Sequence, residues 1–202
     1  LAMKDMEIRG AGDIFSAEQS GHIHEVGFDL YIEMLEQAVA EAKGIETREV
    51  IDPVVDLKVS ALIPAEYIED ISIRLSFYRR IASLVSGDEI EGVRTELQDR
   101  FGAPPAEVEN LLRVMRVKIL GRELMALKVS ETGGRLRLAF SPETPVQPEH
   151  IFALQGARPG KVKFLPDGFE LLTGKDGFDG VFTDLQGVLE ELRIAAAGRT
   201  VR

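Results

Sequence analysis

The spacing of hydrophobic positions changes several times along the chain, and each change predicts a different element. Residues 1–44 show helical spacing on both sides of a polar, glycine-bearing stretch between Gly10 and Gly27. This pattern predicts a helix, a long loop and a helix in a hairpin-like arrangement. Gly44 is typical of a helix end. Residues 1–44 are too few to hold a core alone, and residues 45–53 follow as a predicted linker.

A second unit is predicted to begin at Val54. Apolar and polar residues alternate over 54–63, which is the period of a half-buried strand. Three stretches of helical spacing follow, at 70–86, 88–101 and 105–126. The first of them predicts a buried face made of Ile71, Leu75, Tyr78, Ala82 and Val85. The second is predicted to start at a capping box formed by Asp88 and Glu91, and the third carries Val108, Leu112, Met115 and Ile119 along one side.

The remainder of the chain mixes strands and helices. One predicted hairpin turns at Gly133-Gly134 and a second at residues 166–168, with a short helix at 148–156 between them. A last amphipathic helix is predicted from the apolar positions over 181–196, and Gly198 stops it. A strand, three helices, two hairpins with a helix between them and a terminal helix predict a compact α+β domain over residues 54–202.

Composition narrows the class of protein. The chain has 202 residues, of which 45% are apolar and 29% charged, the balance of a soluble globular protein. The absence of cysteine excludes disulfides, thiolate zinc sites and cysteine nucleophiles. No apolar run approaches the roughly 20 residues of a membrane span, and no signal segment is apparent. A cytoplasmic protein with no membrane partner is therefore expected.

The charge is strongly acidic. Lys and Arg number 24 against 34 Asp and Glu, a net charge of −10. Residues 1–50 hold four basic and eleven acidic residues, or −7, and the rest of the chain holds 20 and 23, or −3. Such a surface repels phosphates, which argues against a self-sufficient nucleic-acid-binding module. It leaves open a role as part of a larger DNA-handling machine.

Motifs for catalysis and metal binding are sparse. The chain has no G-x-x-x-x-G-K-[ST] phosphate loop and no G-x-S-x-G elbow. His22 and His24 have a spacing that could reach one metal ion, but a site needs a third ligand, and solvated loop histidines are the more common case. The sequence therefore predicts no catalytic residue, no metal site and no cofactor bound by this chain itself.

Two sets of polar residues stand out as candidate contacts. Arg9 and Gln19 are joined by a glycine-containing loop, and their donors and acceptors could connect that loop to a neighbouring domain. An ordinary ion pair of Arg9 with Asp5 or Asp13 is the alternative.

The second set is Glu96, Asp99 and Arg100 on the helix 88–101. These three residues share an arc of about 100° beside the apolar stripe of Ile90, Val93, Leu97 and Phe101, because a helix has 3.6 residues per turn. A mixed-charge cluster beside a core stripe suits a polar protein interface. An ordinary solvated face with an i,i+4 pair between Glu96 and Arg100 is the alternative.

Five stretches of this sequence closely resemble the bacterial transcription-repair coupling factor family. They are DMEIRGAG (5–12), EQSGHI (18–23), GFDLYIEML (27–35), RLSFYRRIA (74–82) and ELQDRFG (96–102). The first three stretches are shared in looser form with the branched-DNA helicase of recombination, whereas the last two stretches are more particular to the coupling factor. The resemblance spans nearly the whole chain in the right order.

The resemblance implies that this chain is the C-terminal part of an ATP-dependent double-stranded DNA translocase. Such a protein displaces stalled RNA polymerase and recruits the damage-recognition ATPase of nucleotide excision repair. Residues 1–44 would then end the translocation module, with Arg9 and Gln19 matching the motif that couples ATP hydrolysis to DNA movement. ATP and Mg²⁺ would bind upstream domains. The family usually carries Gly-Glu where this chain has Ser16-Ala17, so the bend of the loop is expected to differ.

By the same resemblance, residues 54–202 would be the C-terminal regulatory domain. It would pack on the N-terminal repair-ATPase-binding domain of the same protein, with Glu96, Asp99 and Arg100 at the contact, and so mask that domain. A stand-alone DNA-binding module and an enzyme with an unrecognised site remain the rival hypotheses.

Overall fold

The computed structural model describes residues 51–173 and 177–198, which belong to the second of the two units into which the chain divides, residues 44–202. The predicted helix–loop–helix of residues 1–44 lies outside the described residues. So do Arg9, Gln19, His22 and His24 and the first part of the predicted linker. The domain boundaries therefore stay a prediction.

The described residues form five strands and five helices, which confirms the predicted α+β class. In chain order they are β1 (Val54–Asp56), α1 (Ile71–Ala82), α2 (Gly87–Phe101), α3 (Ala106–Glu123), β2 (Ala126–Thr132), β3 (Arg135–Phe140), α4 (Pro148–Ala157), β4 (Val162–Leu165), β5 (Gly168–Leu172) and α5 (Gly177–Ala197).

The strands form one mixed sheet in the order β1-β2-β3-β5-β4. The pairing of β1 with β2 is parallel, and the other pairs are antiparallel. Both predicted hairpins are confirmed. Gly133 and Gly134 have φ values of +60° and +76°, which a two-residue hairpin turn with the natural strand twist requires. Alternate strand positions then point into the core, among them Val55, Val129, Leu136, Leu138 and Leu171.

Helix α3 lies at the centre of the domain. It packs against α1, α2, α5, β1 and β2. The predicted stripe from Val108 to Ile119 is buried, but so are Leu111, Val114 and Leu120 on other sides of the helix. A helix that is apolar all round belongs in the middle of a fold, because each of its faces needs a partner.

The predicted strand over 54–63 is wrong beyond Asp56. The alternation does report burial, since Ala61 and Ile63 are in the core. The backbone N–H groups of Leu62 and Ile63, however, donate hydrogen bonds to helices and not to another strand. The Leu62 N–H donates to the Glu107 carbonyl oxygen (3.3 Å), and the Ile63 N–H donates to the hydroxyl oxygen of Tyr78 (2.7 Å). The alternation of buried and exposed side chains therefore continues past Asp56, where hydrogen bonding to the neighbouring strand ends.

The first helix also differs from its prediction. It ends at Ala82, capped by Ser83, and its buried residues are Phe77, Tyr78 and Ile81. Two members of the predicted face, Ile71 and Val85, are exposed. The predicted helix continued to 86 because the apolar spacing runs through the turn after Ala82. The buried side of α1 includes Phe77, which contacts the ring of Phe101 in α2, and Tyr78, whose hydroxyl accepts from the Ile63 N–H. The last helix begins at Gly177, earlier than the predicted 181.

Candidate interaction site on the second helix

Helix α2 is fixed at both ends. The predicted capping box at Asp88 and Glu91 is wrong. Ser86 is the N-cap, and its hydroxyl accepts from the Glu89 N–H (3.3 Å), while the Glu89 carboxylate accepts from the Ser86 N–H (3.3 Å). Ser86 is the N-cap because it is the extended residue directly before the helix, and its side chain therefore reaches the free N–H groups of the first turn. At the other end, Gly102 adopts φ +86° and stops the helix.

The inner face of α2 follows the predicted apolar stripe. Ile90, Val93 and Leu97 are fully buried, and Phe101 is half-buried. The Tyr67 hydroxyl lies 3.0 Å from the Leu97 carbonyl oxygen and 2.9 Å from that of Gly102, so its single hydrogen can be donated to either and ties the end of α2 to the segment before α1. The outer face of the same helix is therefore rigidly oriented.

Glu96 is the centre of an ion-paired cluster on this outer face. Its carboxylate accepts from Arg100, with Nη1 and Oε1 2.8 Å apart, and from Arg80 of α1. The i,i+4 pair between Glu96 and Arg100 anticipated from the spacing is present. Arg80 was missed by the sequence analysis, although it lies in the conspicuous Arg79-Arg80 pair, because only the packing of α1 on α2 brings it to Glu96.

Arg100 is also stacked on aromatic rings. Its guanidinium carbon lies 5.4 Å from the ring centre of Phe77 and 5.0 Å from that of Phe101. A cation over an aromatic face is attracted by the ring's negative quadrupole, by about 0.5–1 kcal/mol at exposed sites. The rings and the Glu96 carboxylate together hold Arg100 in one orientation.

Asp99 stands apart from this cluster. Its side chain is exposed, and within residues 51–173 and 177–198 the carboxylate makes no hydrogen bond or ion pair. The structure therefore brings together two of the three predicted residues and leaves the third with its carboxylate in solvent. A solvated anion beside an oriented cation can bind a partner surface that carries the complementary pattern.

The ion pairs lower the pKa of the Glu96 carboxyl below its ordinary value, mainly through the hydrogen bond from Arg80 and then through that from Arg100. A depressed carboxyl pKa stabilises the fold above the unfolded value, roughly 4.3, and this contribution disappears as the pH falls through the folded value. Glu96→Gln should therefore lower the free energy of unfolding by about 1 kcal/mol or less near neutral pH. The difference from the unmodified chain should be smaller near pH 3 than near neutral pH.

Urea unfolding at both pH values measures this effect. Glu91 is a matched control, because it is an exposed carboxylate on the same helix that forms no ion pair with any described residue. Glu91→Gln should show no comparable pH-dependent difference. An equal difference for Glu96→Gln at both pH values would contradict the assignment.

In the described part of the chain, no three His, Asp or Glu side chains lie close enough together to hold a metal ion. Among the same residues, every helix is too short or too polar to cross a membrane.

The fold places this chain in a known structural class. A crystal structure of the C-terminal domain of transcription-repair coupling factor has the same α+β architecture, with a TM-score of 0.65. The alignment covers 74% of this chain and 98% of that domain at 19% sequence identity, so this likeness concerns the fold alone.

Sequence comparison identifies the family. Residues 57–151, which include α1, α2 and α3, match the TRCF domain. The transcription-repair-coupling factors of Myxococcus xanthus and Haemophilus influenzae are 34% and 37% identical, over 95% and 98% of this chain. That of Rickettsia conorii is 41% identical over 59% of it. The chain belongs to the transcription-repair coupling factor family and is homologous to its C-terminal part. It spans 16% and 18% of the length of the first two relatives.

Proposed function

We propose that this chain is the C-terminal part of an ATP-dependent double-stranded DNA translocase that displaces stalled RNA polymerase and recruits nucleotide excision repair in the cytoplasm. Membership of the family and the five resembling stretches support this proposal. In it, residues 1–44 couple ATP hydrolysis to translocation through Arg9 and Gln19, and upstream domains bind ATP and Mg²⁺. The whole protein binds RNA polymerase, DNA and the damage-recognition ATPase.

The domain from residue 54 onward, in this proposal, is autoinhibitory. It masks the N-terminal repair-ATPase-binding domain of the same protein through the outer face of α2. The observation that carries this proposal is the pre-organised charge pattern of that face, with Arg100 fixed by Glu96 and two rings and Asp99 left in solvent. Pre-organised side chains lose little entropy on binding, and polar contacts between partly solvated groups break readily, as a reversible contact requires.

The geometry also suggests different tasks for the charged residues. Asp99 makes the direct contact in this proposal because its carboxylate has no described partner. Glu96 and Arg80 position Arg100 instead. A partner surface that fits this pattern carries a cation opposite Asp99 and an acceptor opposite Arg100.

Calorimetric titration of the 202-residue chain with the separately expressed N-terminal domain tests the proposal. Asp99→Lys should weaken binding by at least about tenfold, because an attractive pair becomes a repulsive one. Its own fold should be unchanged, since Asp99 has no partner among the described residues.

Glu143→Lys is the matched control. Glu143 is an exposed carboxylate in the loop between β3 and α4, so its replacement makes the same change in net charge away from α2. It should leave the affinity unchanged. Full affinity in both Asp99→Lys and the Glu96, Asp99 and Arg100 triple alanine variant would move the contact elsewhere, and no binding at all would overturn the autoinhibitory role.

A further inference from the structure

The chain enters the domain through residues 51–53, which we call the lead-in segment. It lay within the predicted linker, yet it is packed on α3. Pro53 is buried against Gly121, so closely that a Cβ at 121 would lie 2.7 Å from the Pro53 ring. Asp52 accepts from Lys118 Nζ (2.8 Å) and from Arg122 Nε (2.7 Å), two donors one turn apart on α3. The lead-in segment is therefore part of the domain's packing.

Lys118 is the buried member of this ion-paired contact. Its residue is only 7% exposed, and within the described residues Asp52 is its ion-pair partner. A buried ammonium group without a counter-charge is strongly unfavourable. The burial of Lys118 therefore favours the docked position of Asp52. Because the Asp52 side chain itself is 28% exposed, this contact can still open without unfolding the core.

Arg122 connects the lead-in segment to the start of α2. While its Nε donates to Asp52, its Nη1 donates to the carbonyl oxygen of Leu84 (3.3 Å). Leu84 lies in the turn between α1 and α2, two residues before the Ser86 cap. One guanidinium thus spans the point where the chain enters and the turn from which α2 starts.

From this geometry we infer that Asp52 controls the order of the α1–α2 turn through Arg122. When the lead-in segment is docked, Arg122 is oriented by Asp52 and holds the Leu84 carbonyl. When the segment is pulled away, Arg122 loses its counter-charge, and the turn and the first turn of α2 loosen. This gives the domain a conformational response to movement of the chain that precedes it. The inference requires no particular partner on the outer face of α2.

Hydrogen–deuterium exchange on the 202-residue chain tests the coupling. Asp52→Asn removes the charge and keeps the shape. Amides in residues 83–90, including those of Leu84 and Ile90, should then exchange on the order of tenfold faster, because a charge-assisted hydrogen bond no longer restrains the turn. Amides of the β2–β3 hairpin report global opening and should also exchange faster as the fold loses stability, so the opening at 83–90 is recognised as local because the amides there stay less protected than those of the hairpin.

Two further variants keep the result interpretable. Asp56→Asn is the matched control, because Asp56 follows the lead-in segment but pairs only with the exposed Lys128, 3.9 Å away, among the described residues; its exchange at 83–90 should be unchanged. Asp52→Asn combined with Lys118→Met leaves no buried ammonium unpaired, so it should fold and still show faster exchange at 83–90. Normal exchange there in the double variant, or equal acceleration in Asp56→Asn, would overturn the inference.

Discussion

Replacing Gly168 by alanine should lower the free energy of unfolding by about 3–5 kcal/mol, among the largest effects of any single methyl group in this domain. A Cβ at this position would lie 2.0 Å from the carbonyl oxygen of Leu138 and 3.3 Å from Ala139 Cα. Both obstacles are backbone atoms of β3, so no side chain can move aside to make room. The residue also adopts φ +154°, which L side chains rarely do.

The strain would fall on the middle of the sheet. Gly168 pairs with Ala139 at the start of β5, and the neighbouring Asp167 carbonyl oxygen accepts from the Phe140 N–H (2.8 Å). Relieving the clash means separating β3 from β5, which would expose the buried Leu138 and Phe169. The substitution therefore costs both ladder hydrogen bonds and core packing.

Urea denaturation followed by circular dichroism measures the effect, and Gly187→Ala is the matched control. Gly187 lies in α5, where an added Cβ would meet nothing within 4 Å. Alanine there should raise the free energy of unfolding by about 0.5–1 kcal/mol, because it restricts the unfolded chain and favours the helix. A loss of less than 1 kcal/mol in Gly168→Ala would show that β3 and β5 can separate at little cost.

The elements that the sequence predicted well are those whose signal is local. The Gly133-Gly134 turn requires positive φ at both positions, and the stripe of α2 repeats at helical spacing, so both could be predicted from a few neighbouring residues. The failure after Asp56 has a different origin. Alternation reports which side chains are buried but not what the backbone bonds to, and there the backbone bonds to Glu107 and Tyr78.

The candidate site also has a part that could be predicted from the sequence and a part that could not. The charged face of α2 was predictable from spacing together with the resembling stretches. The residues that orient this face could not be predicted from the sequence. Arg80 reaches Glu96 from another helix, and Asp52 reaches Lys118 across 66 positions of sequence. Nothing local marks Lys118 as buried, because lysine at such a helix position is usually solvated and its burial depends on how α3 is surrounded.

Asp52→Asn is expected to have the second large effect, a loss of about 2–3 kcal/mol in the free energy of unfolding. Most of this loss reflects a buried Lys118 ammonium left without a counter-charge, and only a small part reflects an attraction given up by Asp52. Partial exposure of Asp52 and Arg122 keeps the estimate below that of a fully buried pair. Urea denaturation at neutral pH provides the measurement.

A double-mutant cycle separates these two causes. Lys118→Met alone should change stability by about 1 kcal/mol or less, because methionine fills the buried site and Asp52 keeps its pair with Arg122 (2.7 Å). If the unpaired ammonium is the main cost, Asp52→Asn should cost at least about 1 kcal/mol less in the Lys118→Met background than in the unmodified chain. Equal costs in both backgrounds would place the loss in the Asp52–Arg122 contact instead. In that case the lead-in segment would be retained by its link to the α1–α2 turn rather than by the need to neutralise the core.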